Sequence, residues 1–119
     1  MKYLTVKSRL WVVGKEGTFL GEGRVALLHA INRLGSITKA AKSMNMSYLK
    51  AWKLVKSMNQ TSPKPLVKKS SGGKDGGGTT LTEYGHKAIK LFEELSDKHN
   101  QYLSQKFENQ LKELQNGDI

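Results

Sequence analysis

The chain has 119 residues, enough for one domain with a marginal core, or for one domain and an extended helix. It contains no cysteine, which excludes disulfides, thiolate zinc sites and a cysteine nucleophile. No apolar run reaches the roughly 18 residues of a membrane span, and the N-terminus lacks the apolar block of a signal peptide. A soluble, cytoplasmic protein with no membrane partner is therefore expected.

Charge is distributed unevenly along the chain. The formal net charge at pH 7 is +10, and residues 24–74 contain eleven Lys or Arg residues and no Asp or Glu. From residue 75 onward, five basic residues face eight acidic ones. A long stretch of one sign attracts a polyanion and steers its approach. Nucleic acid, a membrane surface or an acidic protein would each satisfy this charge, and a solvated lysine-rich surface is the plain alternative.

The first elements are predicted to be a β-hairpin and a helix. Residues 3–13 are rich in β-branched and aromatic side chains with partial alternation, which predicts a strand. Residues 14–17 are predicted to turn, and residues 18–20 to form a short return strand. From Gly21 apolar residues recur at helical spacing until Gly35, so a first helix is predicted to end there.

Two more helices separated by a tight turn are predicted next. Ser36 is a good N-cap for a short second helix that ends at about Met44. After a turn at residues 45–46, Ser47 caps a third helix that runs to about Asn59. Two prolines in the following six residues stop that helix.

A glycine-rich hairpin and a long helix complete the predicted order. Strands at residues 66–69 and 79–81 flank a segment with five glycines in nine residues. Thr82 caps the last helix, whose apolar residues follow steps of three or four and predict more than 30 residues. When a helix extends beyond the small domain on which it packs, its remaining apolar side chains usually pack against a partner chain. The predicted dimerisation residues are Leu91, Phe92, Leu95, His99, Leu103 and Phe107.

This order of elements predicts a mainly α protein with small β-hairpins, arranged as a winged helix-turn-helix with a long C-terminal dimerisation helix. The DNA-binding domain and its N-terminal hairpin would cover residues 1–82, and the dimerisation helix residues 83–119. In such a fold the third helix enters the major groove of DNA and the short second helix braces it. Ala51, Val55 and Met58 share the face of the third helix that is expected to pack inward.

The outward face of the third helix carries hydroxyl and ammonium groups that can bind base edges and phosphates. It contains no glutamate, whereas ordinary exposed helices carry charges of both signs. Trp52 is expected to seal the core beside Tyr48, with the rim of the interface as the alternative. Helix N-termini and glycine-rich backbone both favour phosphate, whereas a solvated face, simple capping and a flexible linker are the plain alternatives. The predicted DNA-binding residues are Ser36, Thr38, Lys39, Ser47, Tyr48, Lys50, Lys53, Lys56, Lys68, Lys69, Gly73, Lys74 and Gly77.

Motifs for nucleotide binding and catalysis are poorly matched. Asp75 follows Lys74 where a Walker phosphate loop needs Ser or Thr. Residues 21–26 match a dinucleotide fingerprint, but the acidic ribose ligand expected about 20 residues later is absent. The three histidines are scattered and form no triad or metal cluster. The sequence therefore predicts no enzyme, no cofactor and no metal site.

Several segments together resemble the DNA-binding domain of ModE-type molybdenum-responsive regulators. They are M-S-Y and A-W in the third helix, G-G-K-x-G-G-G in the hairpin and L-T-x-Y-G at the last helix, within residues 10–95. The second and third helices also resemble those of LysR-type regulators. The resemblance implies a winged-helix homodimer on a palindromic operator, with Ser47, Tyr48 and Lys50 in the major groove and residues 72–78 on the flanking backbone. It also implies dimer contacts through the N-terminal strand and the last helix.

Full-length members of that family bind the oxyanion in a separate C-terminal domain, which would follow the last helix. Because the sequence ends at Ile119, molybdate sensing is not expected of these residues. The predicted function is a sequence-specific regulator of transcription that binds double-stranded DNA as a homodimer on an inverted repeat. Two alternatives stay open, a nonspecific architectural DNA-binding protein and a dimeric interaction module whose basic face docks an acidic protein.

Overall fold

The structure, a computed structural model, describes residues 4–70 and 78–117. Its elements in chain order are β1 (Val12–Gly14), β2 (Gly17–Leu20), α1 (Glu22–Leu34), α2 (Ile37–Ser43), α3 (Tyr48–Thr61), β3 (Val67–Lys69), β4 (Thr79–Leu81) and α4 (Glu83–Gln115). The strands form two antiparallel hairpins, β1–β2 and β3–β4. The predicted mainly α winged helix-turn-helix is confirmed. No helix in the described part of the chain is long and apolar enough to cross a membrane.

The helix boundaries follow the predicted capping residues. The side-chain oxygens of Ser36, Ser47 and Thr82 each accept a hydrogen bond from the backbone N–H three residues later, at 3.1, 3.1 and 3.0 Å. Each bond satisfies a donor that the first helical turn leaves unpaired. At the other end of α1, Gly35 adopts a φ of 71°, a left-handed conformation that glycine reaches without steric cost. These local signals fix where α1 ends and where α2, α3 and α4 begin.

The N-terminal strand is shorter than predicted. Of the described residues in the predicted strand 3–13, only Val12 and Val13 lie in β1, and residues 4–11 have no regular secondary structure. A strand needs a neighbour for its backbone hydrogen bonds, and β2 offers only four residues. The prediction for residues 4–11 is therefore wrong, whereas the return strand is confirmed.

A single core joins the helices to both hairpins. The small side chains of Ala40 and Ala41 in α2 allow close approach of the neighbouring helices. In α3, Ala51, Val55 and Met58 are buried, as their spacing predicts. The largest fully buried side chains are Leu20, Leu27, Leu28, Ile31, Met58 and Leu66.

Helix α4 extends well beyond this core. It has 33 residues, or about 50 Å at 1.5 Å per residue, and the predicted length above 30 residues is confirmed. Its buried residues are Gly85, Ala88, Ile89 and Phe92, and no later residue of the helix is buried. Since the start of α4 belongs to the core of the winged domain, the proposed domain boundary at residue 82 stays a prediction.

Candidate nucleic-acid interface

A groove of about 590 Å³ lies between α3 and the β3–β4 hairpin, and the first residues of α2 also line it. We call it the helix–hairpin groove. Six predicted DNA-binding residues line it: Ser36, Thr38, Tyr48, Lys56, Lys68 and Lys69. The fold thus brings together residues from three elements that are up to 33 positions apart in the sequence.

Four further predicted residues belong to the described part of the chain and do not line the groove. Lys39, Ser47, Lys50 and Lys53 are exposed beside it on α2 and α3. The hydroxyl of Ser47 is engaged as the cap of α3, although its proton is still free to donate. Gly73, Lys74 and Gly77 lie outside the described residues. The contact of each of these residues with DNA stays a prediction.

Within the described residues, the lysines at this surface form no ion pair with a carboxylate. The ion pairs within residues 4–70 and 78–117 are His29 with Glu93, at 3.0 Å, and Lys87 with Glu83, at 3.5 Å. Neither pair involves a lysine or arginine of the basic stretch 24–74. The field of the exposed lysines at this surface is therefore directed at solvent, where it can attract a polyanion.

Arg24 is one cation of the stretch that acts inside the protein. Its Nη1 donates a hydrogen bond of 3.1 Å to Oγ of Ser57 and so ties α1 to α3. Partial burial lowers the pKa of Arg24 from its ordinary value. We therefore leave Arg24 out of the candidate interface.

Trp52 does not lie in the core. It is 39% exposed and lines the helix–hairpin groove. Nζ of Lys56, one turn later on α3, lies 5.0 Å from the centroid of the indole, a cation–π contact. Ala51 and Val55 take the inward positions, and Trp52 is rotated away from them around the helix. The expectation that Trp52 seals the core is wrong, and its position agrees with the alternative at the rim of the interface.

One amide side chain that the sequence analysis missed holds the hairpin against α3. Oδ1 of Asn59 accepts hydrogen bonds from the N–H groups of Leu66 at 2.8 Å and Val67 at 3.2 Å. Its Nδ2 donates to the carbonyl oxygen of Val67 at 3.1 Å. An asparagine near the end of a helix carries no sequence signal for such a role. In the fold it satisfies the first backbone groups of β3 and positions that strand as a wall of the groove.

The hairpin is also held at the turn between α1 and α2. The N–H of Thr79 donates to the carbonyl oxygen of Gly35, in that turn, at 2.9 Å. Within the hairpin itself, the N–H of Gly78 donates to Oγ of Ser70 at 2.9 Å. A Cβ at position 78 would collide with the carbonyl oxygen of Gly35. Position 78 of the glycine-rich segment therefore requires glycine because two backbones approach each other closely there.

The comparisons with known proteins agree with this geometry. The chain is similar to the "Molybdenum transport protein ModE" of Azotobacter vinelandii, with 42% identity over 103 residues, 87% of this chain and 38% of that protein. It is also similar to the "Transcriptional regulator ModE" of Haemophilus influenzae, 42% identical over 79 residues, 66% of this chain and 31% of that protein. The "DNA-binding transcriptional dual regulator ModE" of Escherichia coli is 42% identical over 78 residues, 66% of this chain and 30% of that protein.

The chain thus spans between about three and four tenths of the length of these relatives. Residues 23–86, more than half of the chain, match the bacterial regulatory helix-turn-helix proteins of the lysR family. The match begins in α1 and ends in the first turn of α4, so it contains every element that forms the helix–hairpin groove. The chain therefore belongs to the bacterial regulatory helix-turn-helix proteins of the lysR family.

Proposed function

We propose that this protein is a transcriptional regulator that binds double-stranded DNA as a homodimer at an inverted repeat. The observation that carries the proposal is the surface formed by α3 and the helix–hairpin groove, where lysines of α3 and β3 converge without an ion-paired carboxylate in the described residues. The B-DNA major groove admits one α-helix, and α3, a helix of 14 residues, has one face exposed. This is the function of a binding protein and not of an enzyme.

Affinity and sequence discrimination are assigned to different residues. Lys53, Lys56, Lys68 and Lys69 are exposed ammonium groups, and we assign them to phosphates, which supply most of the affinity of such proteins. At the N-terminal end of α3, Ser47, Tyr48 and Lys50 present hydroxyl and ammonium groups, and we assign them to base edges.

The homodimer is supported by the part of α4 beyond the core. Leu95 is 46% exposed, and His99, Leu103 and Phe107 follow it at steps of four without being buried. Phe92 is 4% exposed and packs in the core of its own protomer, so it drops out of the proposed dimer contact. A two-fold dimer would present its two α3 helices to half-sites about one DNA turn apart.

Selection from random duplex DNA by the purified protein, with affinities measured across salt concentrations, tests this function. We expect enrichment of an inverted repeat, nanomolar-range binding and a steep salt dependence. Steep salt dependence without an enriched sequence would support the architectural alternative. Absence of binding to any duplex would contradict DNA binding and leave the docking of an acidic protein.

Lys53→Ala is expected to weaken binding to the enriched site and to random DNA by the same factor. The side chain is exposed on α3, and loss of one phosphate contact should lower the salt slope by about one. Titration of both duplexes at several salt concentrations measures both effects. Lys112→Ala, which removes an exposed lysine near the end of α4, is the control for net charge. Unequal losses on the two duplexes would mean that Lys53 reads bases.

Tyr48→Ala is expected to lower the affinity for the enriched site about tenfold more than the affinity for random DNA, because a lost base contact is worth about 1–3 kcal/mol. Tyr48 is 52% exposed at the first position of α3, where recognition helices approach base edges. Tyr48→Phe separates the hydroxyl from the ring. Competition titrations with the two duplexes give the ratio of the two affinities for each variant. Equal losses of affinity for both duplexes with Tyr48→Ala would exclude base reading by Tyr48.

A further inference from the structure

We propose that the helix–hairpin groove holds the sugar–phosphate backbone of one DNA strand, with the indole of Trp52 against a deoxyribose and the ammonium of Lys56 on the adjacent phosphate. This inference rests on the proposed DNA binding and assigns to the groove a specific part of the duplex. It also gives Trp52 a role that none of the residue assignments above includes.

The position of the groove favours the backbone over the bases. In B-DNA a ridge of sugar and phosphate separates the major groove from the minor groove. If α3 lies in the major groove, this ridge runs alongside the helix, and the depression beside α3 is the place that can receive it. The β3–β4 hairpin forms the opposite wall, so the ridge would be held from both sides.

The chemistry of the groove matches a strand in which charged and apolar groups alternate. Trp52 and Lys56 stand one turn apart on the α3 wall, and Lys68 and Lys69 stand on the hairpin wall. A phosphate needs the ammonium groups, whereas the carbon face of a deoxyribose needs an apolar surface such as the indole. A free anion would not use the exposed aromatic surface.

The contact between Trp52 and Lys56 prepares both groups for this ligand. With Nζ of Lys56 5.0 Å from the ring centroid, the ammonium lies over one face of the indole and leaves the other face for an apolar group. A cation held in this way loses less side-chain freedom on binding than a free lysine does. The two residues should therefore act as a coupled pair, and the removal of one should diminish the contribution of the other.

The test measures the affinities of Trp52→Ala, Lys56→Ala and the double variant for the enriched site and for random duplex. We expect Trp52→Ala to weaken both duplexes equally, by about five- to tenfold, and the double variant to lose less than the product of the single losses. Trp52→Phe keeps an apolar ring and should lose less than Trp52→Ala. Thermal unfolding shows whether each variant is folded. If Trp52→Ala does not fold, the affinities of Trp52→Phe are compared with those of the wild type instead.

A second readout locates the phosphate. In a series of duplexes with one methylphosphonate each, the wild type should lose affinity at particular positions, and Lys56→Ala should become insensitive at one of them. If the wild type binds DNA and Trp52→Ala binds equally well, the backbone contact is wrong and the DNA-binding function stands. A larger loss on the enriched site than on random DNA would make Trp52 a base-reading residue and overturn this inference. If the wild type binds no duplex, the proposed function fails as well.

Discussion

Gly85→Ala is expected to destabilise the protein by about 2–3 kcal/mol, although the same change at most helical positions stabilises a protein. Gly85 lies in the first turn of α4, directly over the backbone of Leu66. A Cβ at this position would collide with the carbonyl oxygen of Leu66 and press on Cβ of Leu81. The obstacle is backbone and not the end of a flexible side chain, so relief requires α4 to move.

That movement would break a connected set of hydrogen bonds. The N–H of Thr82 donates to the carbonyl oxygen of Leu66 at 2.9 Å, and the hydroxyl of Thr82 donates to the carbonyl oxygen of Pro65 at 2.6 Å. Leu66 also donates its N–H to Asn59 and is fully buried. A displaced α4 would therefore disturb both the core and the strand that forms one wall of the helix–hairpin groove.

Urea denaturation of the wild type and of the Gly85→Ala variant measures the loss of stability, and α1 offers a matched control. Gly23 also lies in the first turn of a helix, and a Cβ there would meet nothing within 4 Å. Gly23→Ala should therefore keep or raise the unfolding midpoint, because alanine has the higher helix propensity. A Gly85→Ala protein as stable as the wild type would show that α4 can shift without cost and would contradict the close approach.

Local sequence signals predicted the elements well because each depends on a few neighbouring residues. Ser36, Ser47 and Thr82 cap helices by bonding to the N–H three residues later, so the sequence itself contains both partners. Gly35 ends α1 for a reason of backbone conformation alone. The length of α4 follows from a periodicity that continues without a helix breaker.

Features that depend on tertiary contacts were missed or misplaced. Asn59 acts on backbone groups seven and eight residues away, beyond a proline-containing loop whose path no local rule gives. Trp52 is hydrophobic enough for the core, but the smaller Ala51 occupies the buried position of this turn, and the larger ring lies at the groove. Residues 4–11 have strand propensity without a partner strand. In each case the deciding factor is a neighbour that is distant in sequence.

The double substitution Leu103→Glu with Phe107→Glu is expected to convert the proposed dimer into monomers and to lower affinity for the inverted repeat by about 100-fold or more. Both residues lie on the part of α4 beyond the core, so no buried contact within the protomer is lost. Placing four carboxylates at a two-fold contact leaves unpaired charges where the dimer would bury apolar surface. Affinity for a single half-site should be retained, because neither residue lines the helix–hairpin groove.

Light scattering measures the mass of the variant, and titration with full and half sites measures its binding. Ser104→Glu with Gln105→Glu is the matched control, since both residues are exposed in the same turns of α4 and the added charge is identical. The control should keep the mass and affinity of the wild type. If Leu103→Glu with Phe107→Glu keeps the mass of a dimer, the contact lies elsewhere. The exposed Val13 of β1 and the exposed Trp11 just before that strand then become the apolar surface to substitute next. If it becomes a monomer and still binds the inverted repeat with full affinity, a single α3 and its groove are sufficient for recognition, and the two-fold mode of binding is wrong.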